Sequence, residues 1–220
     1  MTNYHPDNEV LLEFSAGTVS SHFALCVSVH LKYCKQCRET VARMQAVGGV
    51  LFEELPSTPV SDGLFDRILD RVEHYGDRQV ESEAEPLSLL KGWLPDGLKN
   101  LSWRKQWFKL SEVVLEVPKS GNWRLALQRI SAGGIAPLHG HHGREVTVVL
   151  QGGFSDESGV YNEGDFIICD GENKHRPQAF RNEDCICLTF LEAPVSLEGP
   201  VGRWIERFKG LFGTKEPLTS

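Results

Sequence analysis

The chain has 220 residues, 40% of them hydrophobic, enough to bury one large core or two small ones. No apolar run approaches the roughly 20 residues that span a bilayer, and Met1-Thr2-Asn3-Tyr4-His5 lacks a basic segment followed by an apolar one, so a cytoplasmic protein without a transmembrane segment is expected. Residues 1–85 hold 7 Lys/Arg against 14 Asp/Glu and residues 86–220 hold 16 of each, so the whole formal charge of −7 lies in the first part; such a module repels nucleic acid and suits a basic protein surface.

In chain order, residues 7–16 predict a short helix with Asp7 or Asn8 as N-cap and Gly17 as its stop. Ser20-Ser21 caps a second helix carrying Phe23, Leu25, Cys26, Val27, Val29 and Leu31, apolar on more than one face. A third helix starts near Lys35 and runs through Val41, Met44 and Val47 to Gly48-Gly49, where the diglycine is expected to weaken or end it.

The corner between the second and third helices carries His30-x3-Cys34-x2-Cys37. On a helix these three side chains fall on one face about one turn apart, and their borderline and soft donors suit tetrahedral Zn2+ with one ligand wanting. His5 is the candidate fourth. A core this small is marginal alone, so a metal staple would stabilise it. The six cysteines, Cys26, Cys34, Cys37, Cys169, Cys185 and Cys187, suit metal or redox chemistry rather than a disulfide framework.

Pro56-Ser57-Thr58-Pro59 breaks the chain, after which Ser61 or Asp62 caps a helix over 62–75. Leu64, Phe65, Ile68, Leu69 and Val72 form a stripe at helical spacing, with Asp66, Arg67, Asp70 and Arg71 on the other faces. Proline before it and the acidic stretch 76–86 after it isolate this helix. It either packs back on its own domain or lies in a partner's groove. His22 and His74 have no partner at metal spacing and are expected at the surface.

From about Trp93 the pattern is β. The runs 108–117, 123–130, 145–150, 166–169 and 185–191 are strand length, rich in β-branched and aromatic residues and separated by Gly, Asn and Asp, which predicts an antiparallel sandwich or barrel. Within it, His139-x-His141-x3-Glu145 precedes His175 by some thirty residues. On one strand the first three share parity and face, His142 has the opposite parity, and His175 arrives from a neighbouring strand. Three imidazoles and a carboxylate suit Zn2+, Fe2+ or Mn2+. Cys185-Ile186-Cys187 sets two thiols on one face of a late strand, either as redox targets or as small buried hydrophobes. Val201, Trp204, Ile205, Phe208, Leu211 and Phe212 predict a C-terminal amphipathic helix.

The N-terminal motif resembles the zinc-binding anti-sigma domain, and His-x-His-x3-Glu with its flanking glycines resembles the cupin family; together they are similar to the ChrR-type zinc anti-sigma factors of bacteria over residues 3–192. The resemblance implies an α+β multidomain chain: a zinc-binding helical anti-sigma domain over 1–85, an antiparallel β-barrel of cupin type over 86–195, and a C-terminal amphipathic helix and tail over 196–220. It implies zinc at His5, His30, Cys34 and Cys37, and a second divalent metal, zinc first, at His139, His141, Glu145 and His175. The implied partner is an extracytoplasmic-function sigma factor, held as a heterodimer with the helix at 62–75 completing the grip and no direct contact to nucleic acid. Singlet oxygen or organic peroxides would end the inhibition through the cupin domain. The same three-histidine, one-glutamate set also fits a metal-dependent cupin enzyme such as a dioxygenase.

Overall fold

The computed structural model describes residues 2–74, 86–106, 108–116, 123–141, 143–171, 174–193 and 195–197. The predicted C-terminal helix, His142 and most of the acidic stretch lie outside them.

Four helices come first. In α1 (Asn8–Ser15) the Asp7 carboxylate accepts the Val10 N–H at 2.8 Å, and Gly17 follows at φ +70°. Helix α2 (Ser21–Tyr33) is capped by the Ser20 hydroxyl, which accepts the Phe23 N–H. Helix α3 (Lys35–Glu53) starts at Cys34, whose sulfur accepts the Cys37 N–H, and α4 (Leu64–His74) follows. The diglycine does not end α3, which runs one further turn to Glu53. Gly48 and Gly49 cost about 1 kcal/mol each against alanine without breaking the hydrogen-bond ladder, and the open space around both leaves helical backbone unopposed.

A short 3-10 helix (Pro86–Leu90) leads into eleven strands among the described residues. These are β1 (Arg104–Lys105), β2 (Leu110–Glu116), β3 (Arg124–Ile130), β4 (His139–His141), β5 (Glu145–Gln151), β6 (Gly153–Ser155), β7 (Val160–Asn162), β8 (Phe166–Cys169), β9 (Gln178–Ala179), β10 (Cys185–Leu191) and β11 (Val195–Leu197). They form three antiparallel sheets rather than one closed one: β1-β2-β3-β10-β5-β8, β7-β6-β9 and β11-β4. Isolated bridges Ile135↔Gln178 and His139↔His175 tie the smaller sheets together. The α+β organisation expected from the sequence, helices followed by a cupin-type antiparallel β-domain, is the one observed.

The six-stranded sheet is buried on both faces. Val146, Val148 and Leu150 of β5, Leu188 and Phe190 of β10, Leu125 and Leu127 of β3 and Phe166 of β8 share one core with Phe23, Cys26, Val27 and Val29 of α2. Fully burying each such side chain contributes about 1.5–3 kcal/mol. The alternate residues, among them Ile130, Val149, Ile167, Cys185 and Cys187, face the interior of the β-domain. Helix α2 is apolar all round because it is enclosed by α1, α3 and the sheet. His22 of α2 is accordingly no plain surface residue: its ring stacks 4.0 Å from Trp123 and its Nε2 lies 3.3 Å from Glu116.

Candidate metal centres

Cys34 closes α2 and opens α3 in an extended conformation (φ −104°, ψ 105°), which turns the Cys34 and Cys37 sulfurs back toward His30. His5 arrives from the arm that precedes α1, its Nδ1 3.3 Å from Cys34 Sγ and 3.5 Å from Cys37 Sγ. One donor atom from each of the four residues lies within 4.8 Å of every other.

His30 is fully buried and its Nδ1 sits 2.7 Å from the Gly164 carbonyl oxygen. A carbonyl only accepts, so Nδ1 carries the proton and Nε2 keeps a bare lone pair. That Nε2 is buried with no hydrogen-bond partner, an arrangement costing about 1–3 kcal/mol unless a cation satisfies it. Burial draws the His30 pKa down to about 4, keeping the ring in its ligating neutral form. Burial by itself pushes the Cys34 thiol up, but hydrogen bonds from Thr2 and Cys37 outweigh it and hold this thiol below the usual range. Burial, then the hydrogen bond to Cys34, pushes Cys37 up to about 12. The two sulfurs are thus pushed in opposite directions, and a divalent cation would favour the thiolate at both. A closed set of two sulfurs and two imidazoles fits structural zinc.

The second quartet is built across two strands rather than along one. His139 and His141 point the same way from β4, a turn intervenes, and Glu145 opens β5; His175 bridges opposite His139. Nε2 of His175 lies 3.0 Å from Nε2 of His139 and 3.3 Å from Nε2 of His141, and Nδ1 of His141 lies 3.1 Å from Glu145 Oε2. His139 Nδ1 donates to the Pro137 carbonyl at 2.9 Å and His175 Nδ1 to Asp156 Oδ2 at 3.0 Å. Both facing Nε2 atoms are therefore bare lone pairs, in contact with nothing between them. Burial lowers the pKa of His141 and, with His139 adding to it, that of His175, so a shared proton is disfavoured. A cation would resolve the repulsion, and the 3.0 and 3.3 Å separations between the Nε2 atoms are near the roughly 3.3 Å expected between two nitrogens bound to one ion. Thr147 donates to Glu145 Oε1 at 3.0 Å, leaving Oε2 for the cation.

A cavity of about 170 Å³ opens at this quartet, lined by His139, Glu145 and His175 together with Ile130, Ile167 and Phe154. Cys185 and Cys187 also line it, their sulfurs 3.6 Å apart. The hydrogen bond to Cys185 and burial raise the Cys187 pKa. The pair is thus both buried and exposed to whatever enters. Cys26, by contrast, is wholly buried in the core, which raises its pKa and leaves it inert.

On α4 the predicted stripe faces solvent: Phe65 is 70% exposed, Val72 65%, Ile68 49% and Leu69 43%, with Leu64 half-buried. Val47, Val50, Leu51 and Phe52 at the end of α3 are exposed as well.

The structure brings together the two quartets that sequence spacing singled out, and adds the residues that support them. Asp156, Pro137 and Thr147 orient the β-domain ligands, and Gly164 orients His30 from 134 residues away. Thr147, two residues after Glu145 on a strand, was within reach of a parity argument; the others come from loops with no such signal.

Residues 99–194 match the family model of the ChrR cupin-like domain. The anti-sigma-E factor ChrR of Cereibacter sphaeroides is 32% identical over 212 residues, covering 93% of this chain and 97% of that protein. This chain belongs to the ChrR family. The crystal structure of Rhodobacter sphaeroides SigE in complex with the anti-sigma ChrR superposes with a TM-score of 0.73 at 33% identity, over 87% of this chain and 99% of that one. A likeness over 93% of the chain takes in residues 30–37 and 139–175.

Proposed function

We propose that this ChrR-family chain is a cytoplasmic regulatory protein rather than an enzyme. In this reading the helical module, closed by zinc at His5, His30, Cys34 and Cys37, binds an extracytoplasmic-function sigma factor as a heterodimer and keeps it from RNA polymerase. The observation that carries it is α4, which offers Phe65, Ile68, Leu69 and Val72 to solvent at helical spacing. Such a face lies readily in a groove between domains of a partner, and the net −7 of residues 1–85 complements the basic surfaces with which a sigma factor meets promoter DNA. The relative's crystal structure with SigE supports the same partner class. No helix of the described residues is long and apolar enough to cross a membrane.

The cupin domain is the sensor in this reading. A divalent metal, zinc first, held by His139, His141, Glu145 and His175 would present a Lewis-acidic centre to the cavity. The Cys185–Cys187 pair on the same cavity is within reach of an oxidant such as singlet oxygen or an organic peroxide that enters it. The chain is divided accordingly into the binding module at 1–85, the cupin domain at 86–195 and a tail at 196–220.

The test is co-expression of the full chain with the extracytoplasmic-function sigma factors of its source organism, followed by pull-down and metal analysis. A one-to-one complex that falls apart on exposure to peroxide or singlet oxygen is expected. A zinc-loaded, folded chain that captures none of them overturns the reading.

A further inference from the structure

The helical metal centre is assembled from two pieces that differ in how they are held. His30, Cys34 and Cys37 sit on the α2–α3 corner, fixed by helix geometry. His5 sits on an arm before α1, and that arm is fastened by the β-domain.

The fastening is one turn between β7 and β8. Asp165 is fully buried, and its carboxylate accepts N–H bonds from Asn3 at 2.6 Å, Tyr4 at 3.1 Å and, within the turn, Asn162 at 2.8 Å. A buried carboxylate is costly unless hydrogen-bonded in this way. Phe166 N–H donates to the Tyr4 carbonyl at 3.1 Å, and the Tyr4 ring packs 4.6 Å from Tyr161. The residue beside Asp165 is Gly164, whose carbonyl takes the His30 Nδ1 proton. Gly164 has φ +87°, and a Cβ there would come within 2.6 Å of Tyr33 Cβ and 2.7 Å of Thr2 Cγ2. Only glycine lets the turn approach both α2 and the arm so closely. One cupin turn therefore orients both imidazoles of the helical centre, His30 directly and His5 through its neighbour Tyr4.

We propose that Asp165 and Gly164 are positioning residues of the helical metal centre, so that the hold on its metal is set by the cupin domain. The proposal rests on the reading of His5, His30, Cys34 and Cys37 as a metal quartet. Partners that orient ligands in this way change metal affinity by about 10–100-fold when removed.

The experiment uses the full-length chain loaded with Co2+. Thiolate-to-cobalt charge-transfer absorption reports on the Cys34/Cys37 centre, because the cupin quartet itself contains no sulfur, and the part of the band that Cys34→Ser/Cys37→Ser removes is the part assigned to it. Its decay is followed after addition of EDTA. Asp165→Ala and Gly164→Ala are each expected to lose the band about 10-fold faster or more, with a shifted absorption maximum before the challenge. Asp165→Asn, which keeps one carbonyl acceptor for the arm, is expected to recover part of the stability. Asp156→Asn, which disturbs the other quartet, is expected to decay like the parent chain. Decay of Gly164→Ala and of folded Asp165→Ala at the parental rate overturns the positioning role while leaving the quartet standing. A parent chain with no thiolate–cobalt band overturns both.

Discussion

The two candidate metal centres of this chain are made of opposite materials in opposite settings. The helical quartet pairs two cysteine sulfurs with two imidazoles, takes three of its four residues from eight consecutive positions, and would close around a cation. The cupin centre combines three imidazoles with one carboxylate, collects them from three strands or loops over 37 residues, and borders a cavity. A closed sulfur-rich set in a small helical unit stabilises the fold, whereas an oxygen- and nitrogen-bearing set beside a cavity can meet a ligand. In the proposed reading, one chain separates a site suited to holding a shape from a site that borders a cavity.

The largest effect expected from this contrast is on the helical side. Joint Cys34→Ser and Cys37→Ser replacement should remove one metal per chain and destabilise the helical module by more than about 5 kcal/mol, since structural zinc sites contribute about 10–16 kcal/mol in isolated zinc peptides. Metal analysis and thermal unfolding read both, and sigma capture should disappear with the metal. On the cupin side, Glu145→Ala should weaken metal binding by more than about 100-fold, measured by chelator competition, yet leave sigma capture intact. Equal loss of capture in both variants would erase the division of labour.

Next in size is the exposed face of α4. Phe65→Ser with Ile68→Ser should lower affinity for the sigma factor by about 30-fold or more, as for removal of buried interface anchors. The unfolding free energy of the chain alone should change by no more than about 0.5 kcal/mol, because both side chains already face solvent. A large drop in stability would instead mean that α4 serves its own domain. The smallest effect is expected from Asp156→Asn, which keeps the shape of the His175 partner but weakens its pull on Nδ1. Cupin metal affinity should fall about 10-fold with the helical metal unaffected, as titration with a chromophoric chelator would show.

Local chemistry was legible in the order of residues. Helix starts at Asp7 and Ser20, the stop at Gly17, and the strand at 185–191 follow from capping, left-handed glycine and β-branched runs, each decided within a few residues. The ligand residues were legible for the same reason: His30, Cys34 and Cys37 share a helical corner, and His139 with His141 share strand parity. At Gly48-Gly49, of the two outcomes the local rule allowed, the ending of the helix is not observed, because a helix tolerates solvent-exposed glycine at modest cost. His22 was misplaced because its solvent exposure depends on Trp123 and Phe190 of the sheet, not on its neighbours in α2.

The sequence by itself carried the residues of the two candidate quartets, the helix-then-strand order and the orphan stripe on α4; six of the eight quartet residues are written in spacings of two to seven residues, while His5 and His175 stand 25 and 30 residues from their nearest partners. Only the tertiary structure decided what stands behind the ligands: Asp156 on His175, Thr147 on Glu145, Gly164 on His30, and Asp165 on the arm that carries His5. Apart from Thr147, those contacts join residues from 19 to 162 positions apart. No periodicity reaches that far, because it is the packing of α2 on β5 and β10, driven by non-directional burial, that brings such partners within hydrogen-bond distance.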